Sequence, residues 1–257
     1  MGGLIAAAGA WLAECRDLLL PRGCAGCDRP DETLCPACRA TFAERRSWRV
    51  PGTAFPCHAC AEYRGAARQA ILAWKDHDDV ELDRVFAQAM ERCVADACGA
   101  GLPPWTARVD RMSSGDLGRH AVLVVPVPSS PRSVRRRGRV HVRPLAEAVR
   151  AAIVRGGGEA VVSEALAVRG VNAKSVEASD VRSRRRRLDG GIAQRPGRAL
   201  RGRSVVLVDD IVTTGATVVQ CARAVERAGG RVVAAFALAH TPRPGAVSVT
   251  RCGISAG

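Results

Sequence analysis

The chain has 257 residues, 47% of them hydrophobic, which calls for a full core and gives room for one sizeable α/β domain with a small appendage. Its formal net charge of +14 is carried almost wholly by arginine, since only Lys75 and Lys174 are lysines, and such a surface attracts polyanions without any sequence preference. No apolar run reaches transmembrane length, so an integral membrane segment is excluded and the cytoplasm is the expected compartment.

In residues 1–20, Leu4, Ile5, Ala8, Trp11, Leu12, Cys15, Leu18 and Leu19 recur at helical spacing. Glu14, Arg16 and Asp17 interrupt the run, and no basic residue precedes its apolar part, so it reads as an amphipathic docking helix rather than a signal peptide. Reversible contact with a membrane surface is the alternative. Residues 21–61 form a cysteine-knuckle module. Six of the eleven cysteines fall in C-x-x-C pairs: Cys24 with Cys27, Cys35 with Cys38, and Cys57 with Cys60. Paired knuckles present two sulfurs each from a tight turn, so the first two pairs make a four-thiolate site for structural Zn2+, favoured over a disulfide framework or an iron–sulfur cluster. Cys57 and Cys60, with His58 between them, are a half site that either completes an alternative set or stands without metal. Phe42, Trp48 and Phe55 lie close by, as core residues of the module or as a stacking platform for bases.

From residue 62 a larger α/β domain is expected. Residues 65–74 and 81–98 read as helices covering a sheet face, and 99–120, rich in Gly, Pro and Ser, as a flexible insertion. A strand is expected over 121–127, a helix over 144–154 with Pro144 in its first turn, and a short strand over 160–166. Two arginine blocks, Arg132 to Arg143 and Arg182 to Arg187, fall on expected loops. The five histidines show no ligand spacing and read as surface or satisfied residues. The terminal Gly253-Ile254-Ser255-Ala256-Gly257 matches a nucleophile-elbow string by chance, for no helix can follow it.

The most informative segment is Val205-Val206-Leu207-Val208-Asp209-Asp210-Ile211-Val212-Thr213-Thr214-Gly215-Ala216-Thr217. An aliphatic run reads as a buried parallel strand, and the loop after it opens a helix at Val218 whose positive N-terminus favours a phosphate. Asp209 and Asp210 then stand at the strand's carboxyl end, where an open α/β sheet binds its ligand. Carboxylates accept from vicinal ribose hydroxyls, Thr213, Thr214 and Thr217 donate, and Gly215 and Ala216 let backbone N–H groups close on an anion. One ribose 5-phosphate satisfies both halves. Gly229-Gly230 then stops the helix before a strand over 232–239.

This segment resembles the signature of the type I phosphoribosyltransferase superfamily: four aliphatics, two acids, an aliphatic, any residue, Thr-Thr-Gly, any residue, then Ser or Thr. Together with the cysteine module the chain is similar to the ComF family of competence-associated proteins. Leu18-Leu19-Leu20-Pro21-Arg22-Gly23-Cys24-Ala25-Gly26-Cys27 looks like that family's opening, the stretch from Tyr63 to Lys75 like its bridge, and Val125-Pro126-Val127-Pro128 like its first strand's loop. The chain departs from it after that loop, where Arg137-Gly138 leads into Arg139-Val140-His141 instead of Phe-Asn-Gln. The resemblance implies a phosphoribosyltransferase-like parallel sheet flanked by helices, with an N-terminal zinc ribbon. It places Arg135, Arg136, Arg137 and Arg139 near a pyrophosphate or a nucleic-acid backbone, and it implies single-stranded DNA and DNA-uptake proteins as partners. A second implied reading is an active transferase. There Asp209 and Asp210 hold the ribose, Mg2+ accompanies phosphoribosyl pyrophosphate, and a nitrogen nucleophile displaces pyrophosphate; the sequence shows no acceptor site or base-recognition hood for it.

Overall fold

A computed structural model of the protein describes residues 23–76, 79–99, 121–169 and 191–242. Its longest strands are aliphatic because both their faces are covered. β3 (Val122–Pro126) is buried throughout, and β7 (Ser204–Val212) and β8 (Arg231–His240) are buried along most of their length. With β1 (Arg46–Trp48), β2 (Cys57–Glu62) and β4 (Ala160–Val162) they form a six-stranded sheet in the order β1-β2-β8-β7-β3-β4. All neighbours are parallel except β1 with β2.

Alternation along the strands sorts side chains into two cores. Val206, Val208, Phe236 and Leu238 join Phe86, Met90, Leu145 and Ile153 on one face, under α2 (Gly65–Asp76), α3 (Leu82–Cys98) and α5 (Val142–Arg155), with Cys38 of the short α1 (Pro36–Ala40) in the same core. Val205, Leu207, Ala235 and Ala237 join Val218, Cys221 and Val225 of α6 (Ala216–Arg227) on the other. The mixed α/β architecture expected from the sequence, a mostly parallel sheet flanked by helices, is therefore present.

Four readings are corrected. The signature strand runs through both acids to Val212, since Ile211 and Val212 still pair with Ala239 and His240, and its helix begins at Ala216 rather than Val218. The first arginine block is a loop only around Arg139, its earlier part being helical. That part forms α4 (Pro131–Arg137), which Ser130 caps by accepting from Ser133 N–H, which Pro131 opens, and which Gly138 ends at φ 69°. The strand read over 160–166 divides, because a bond from Ala165 N–H to Ser163 O turns the chain out of the sheet. The continuation, β5 (Leu166–Val168), pairs antiparallel with β6 (Ile192–Gln194). Finally, the boundary drawn after residue 61 falls inside the main sheet, because β2 pairs with β8 and carries β1 on its edge.

The expected helix over 1–20, nearly all of the insertion over 99–120 and the arginine block at 182–187 lie outside the described residues. Among the described residues no helix is long and apolar enough to cross a membrane.

Candidate functional site

At the carboxyl end of β7 the pleat sends adjacent carboxylates to opposite faces. Asp209 points to the side of α6, where burial raises the Cys221 thiol above its ordinary range and the Asp209 charge adds to that push. Asp210, 8% exposed, points to the other side. Its Oδ2 receives Lys75 Nζ from the end of α2 at 2.6 Å and His141 Nε2 from the start of α5 at 2.6 Å, while Oδ1 accepts from Ile211 N–H at 2.6 Å. Burial alone would raise the Asp210 carboxyl; the His141 hydrogen bond and the Lys75 charge override it and hold the group well below the usual carboxylate range. Asp209 has the opposite fate. Burial and the neighbouring Asp210 charge push it up to about 8, against the hydrogen bond its Oδ1 accepts from Asp210 N–H. The pair read from sequence as twin ribose ligands is thus one half-buried acid and one acid already engaged.

The loop after the acids has the form an anion needs. Thr213, Thr214, Ala216 and Thr217 are exposed around a buried Gly215. Gly215 adopts φ 78° as the N-cap of α6 and offers no side chain of its own to cap the helix, whose first-turn amides open on the loop. Thr214 Oγ1 accepts from Ala216 N–H at 3.3 Å. A Cβ at Gly215 would collide with the side chain of Val50 from the β1–β2 connection, so conformation and space both demand glycine.

The arginines read as phosphate ligands divide by element. Arg135 is exposed on α4; Arg136 is on the same helix, its side chain outside the described part. Arg137 reaches His141 Nδ1 at 3.4 Å. Arg139 is committed elsewhere: its Nη1 lies 2.8 Å and 2.6 Å from the two oxygens of Asp83, and its guanidinium sits 5.9 Å from the Trp74 ring centroid. Trp74 Nε1 donates to the same Asp83 at 2.5 Å, closing a clamp between α2, α3 and the segment before α5. Arg139, read from the resemblance as a phosphate ligand, is thus held by Asp83 and Trp74. Lys75 and His141 are the site residues that sequence reasoning missed; neither lies near the signature, and no local pattern ties either to it.

Cys24, Cys27, Cys35 and Cys38 bring their sulfurs within 4.8 Å of one another, three of them buried. The Cys27–Cys35 sulfur separation of 3.7 Å matches the roughly 3.8 Å edge of a tetrahedron with metal–sulfur bonds of about 2.3 Å. Gly26 N–H and Cys35 N–H point at Cys24 Sγ, at 3.4 Å and 3.2 Å, and overcome the upward push of burial to bring that thiol down to about 6. This donor set fits a tetrahedral metal such as zinc. Gly26 is required by space, for a Cβ there would lie 2.8 Å from Cys38 Sγ and 3.2 Å from the Ala66 Cβ on α2.

Cys57 and Cys60 do not join the cluster. Three residues apart in a strand, they face opposite cores, Cys57 beside Phe55 and Cys60 beside Phe42. Cys60 forms a thiol–thiol hydrogen bond with Cys93 of α3, which with burial raises it well above the ordinary range. Phe42 and Phe55 are buried core residues, so of the three aromatics only Trp48 retains exposure.

An open cavity of about 100 Å³ lies beyond the carboxyl end of β3, between Val127, Pro128, Val134 and Leu166, with Glu164 and Arg195 at its wall. One of its lining residues is tied to the signature strand, for Val127 N–H bonds Val208 O.

Residues 136–250 match the family model of the phosphoribosyl transferase domain. No curated protein matches the chain. Sheet order, signature loop and this match together define a phosphoribosyltransferase-type domain within the chain.

Proposed function

We propose that the chain binds the 5-phosphate of a ribose, free or as phosphoribosyl pyrophosphate, in the loop over residues 213–217. The observation that carries this reading is the α6 N-terminus behind a left-handed Gly215, one step from a carboxylate at a parallel strand's carboxyl end. The phosphate accepts from first-turn amides and threonine hydroxyls, and Asp209 accepts from the diol. Magnesium arrives with the pyrophosphate, for among the described residues the one clustered set of metal ligands is the cysteine group. Calorimetry of the zinc-loaded protein with ribose 5-phosphate, and with phosphoribosyl pyrophosphate plus magnesium, tests the proposal. Binding that is lost in Asp209→Asn supports it, and silence from both ligands sinks it.

A ComF-type role extends the reading: the basic surface takes single-stranded DNA during uptake while the loop senses a nucleotide or phosphoribosyl pyrophosphate. The +14 charge and the exposed Arg135 support it. Salt-sensitive single-strand binding that survives Asp209→Asn fits this division of labour; simultaneous loss of both ligands contradicts it. The cavity beside Val127 favours a second reading, phosphoribosyl transfer to a nitrogen nucleophile, since it offers an open space of about 100 Å³ beyond the carboxyl end of β3. Pyrophosphate release across a panel of nucleobases decides between the two.

A further inference from the structure

We infer that Lys75, delivered by the last turn of α2, is the positioning residue of the acid pair: it clamps Asp210 against His141 and thereby leaves Asp209 as the carboxylate open to a diol. The inference deepens the ribose-phosphate reading and rests on it for its ligand, but not for its electrostatics.

Two adjacent carboxylates at a strand end repel each other, and one of them is almost fully enclosed. A buried charge needs a partner charge and satisfied lone pairs. His141 supplies a hydrogen bond from Nε2, while its Nδ1 faces the Arg137 guanidinium at 3.4 Å. The ammonium in contact with the carboxylate is that of Lys75, whose side chain is 17% exposed.

The choice of lysine is informative in a chain whose other cations are nearly all arginine. Oδ2 of Asp210 is shared by two donors at 2.6 Å, which a compact ammonium on a flexible stem permits and a planar guanidinium fork obstructs. Trp74, the preceding residue, is buried edge-on to His141 at 5.1 Å and donates to Asp83, so the lysine stem has little freedom to leave. The groups that bear on the pair are Lys75 from α2, His141 from α5, Arg137 from α4 through that imidazole, and Cys221 from α6. Of these, Lys75 also lowers the cost of ionising Asp209.

The test is a carbon-13 NMR titration of the aspartate carboxyls in the zinc-loaded, ligand-free protein, for wild type, Lys75→Gln and Lys75→Arg. Glutamine keeps a hydrogen-bond donor but removes the charge. Lys75→Gln is expected to move the Asp209 midpoint upward by about one unit and to release Asp210 from its low value, whereas Lys75→Arg restores charge but not the shared contact with His141. Calorimetry with ribose 5-phosphate between about pH 6 and about pH 9 should show the gain of affinity shifted the same way, with an about tenfold loss near neutrality. Unchanged carboxyl midpoints in both variants overturn the inference. Failure of the wild type to bind ribose 5-phosphate would instead remove the proposed function, and the carboxyl titration would still decide the role of Lys75.

Discussion

At Asp209 and Asp210 a single peptide unit separates two carboxyls whose effects on stability have opposite signs. A free aspartate titrates near about 3.9. Asp209 keeps its proton in the fold up to about 8, so between those values the unfolded chain is ionised while the native one is not, and stability falls as pH rises. Asp210, held low by His141 and Lys75, contributes stability that is full above its ordinary value and lost as the solution is acidified below it. Asp209→Asn should therefore flatten the decline between about pH 4 and about pH 8, and urea melts across that window check it. Asp210→Asn should cost about 3–5 kcal/mol at neutral pH, because the Lys75 charge is left enclosed. A loss below about 1 kcal/mol would mean that the ion pair is effectively solvated. Gly215→Ala carries two penalties, a positive φ and a collision with Val50, and should destabilise by about 1–3 kcal/mol while abolishing ribose-phosphate binding. Adding Val50→Ala should relieve the collision and leave the backbone penalty, which paired thermal melts would separate.

The signature from Val205 to Thr217 was readable because it is contiguous: strand, acids, turn and helix start follow one another, and each has its own local chemistry. Its partners were not readable. His141 meets Asp210 across 69 positions and Arg139 meets Asp83 across 56, distances over which periodicity carries no information. The helix hidden in the first arginine block was signalled by Ser130, Pro131 and Gly138, but the density of charge drew the reading toward a loop. The knuckle spacing of Cys57 and Cys60 left their part open, because spacing alone does not say whether a pair lies on a turn or on a strand. C-x-x-C brings sulfurs together on a turn and drives them apart on a strand. The clamp of Trp74, Asp83 and Arg139 joins three elements, so Asp83→Ala should cost about 2–4 kcal/mol and a double-mutant cycle with Arg139→Ala should show coupling above about 1 kcal/mol. Additive losses would show that the contact is incidental.

Over the whole molecule the cysteine cluster is not a detachable module. Cys24, Cys35 and Cys38 share one hydrophobic core with Phe86, Met90, Leu145 and Phe236, and β1 and β2 continue the central sheet. Replacing Cys24 and Cys35 by Ser, or stripping metal with a chelator, should lower the unfolding midpoint of the entire protein in a single transition; separate loss of the N-terminal segment before an unshifted main transition would refute this. The general architecture was legible from hydrophobic runs, whereas the sharing of one core by the cysteine segment and the main sheet was not, since it depends on which strand lies next to β8. The same arginine-dominated composition has a practical outcome. Amine-acylating reagents have only Lys75 and Lys174 as side-chain targets, and the ammonium of Lys75 is tucked against Asp210. The extent of modification at that one residue, read by mass spectrometry, becomes a built-in gauge of whether the pocket's internal ion pair is closed or open.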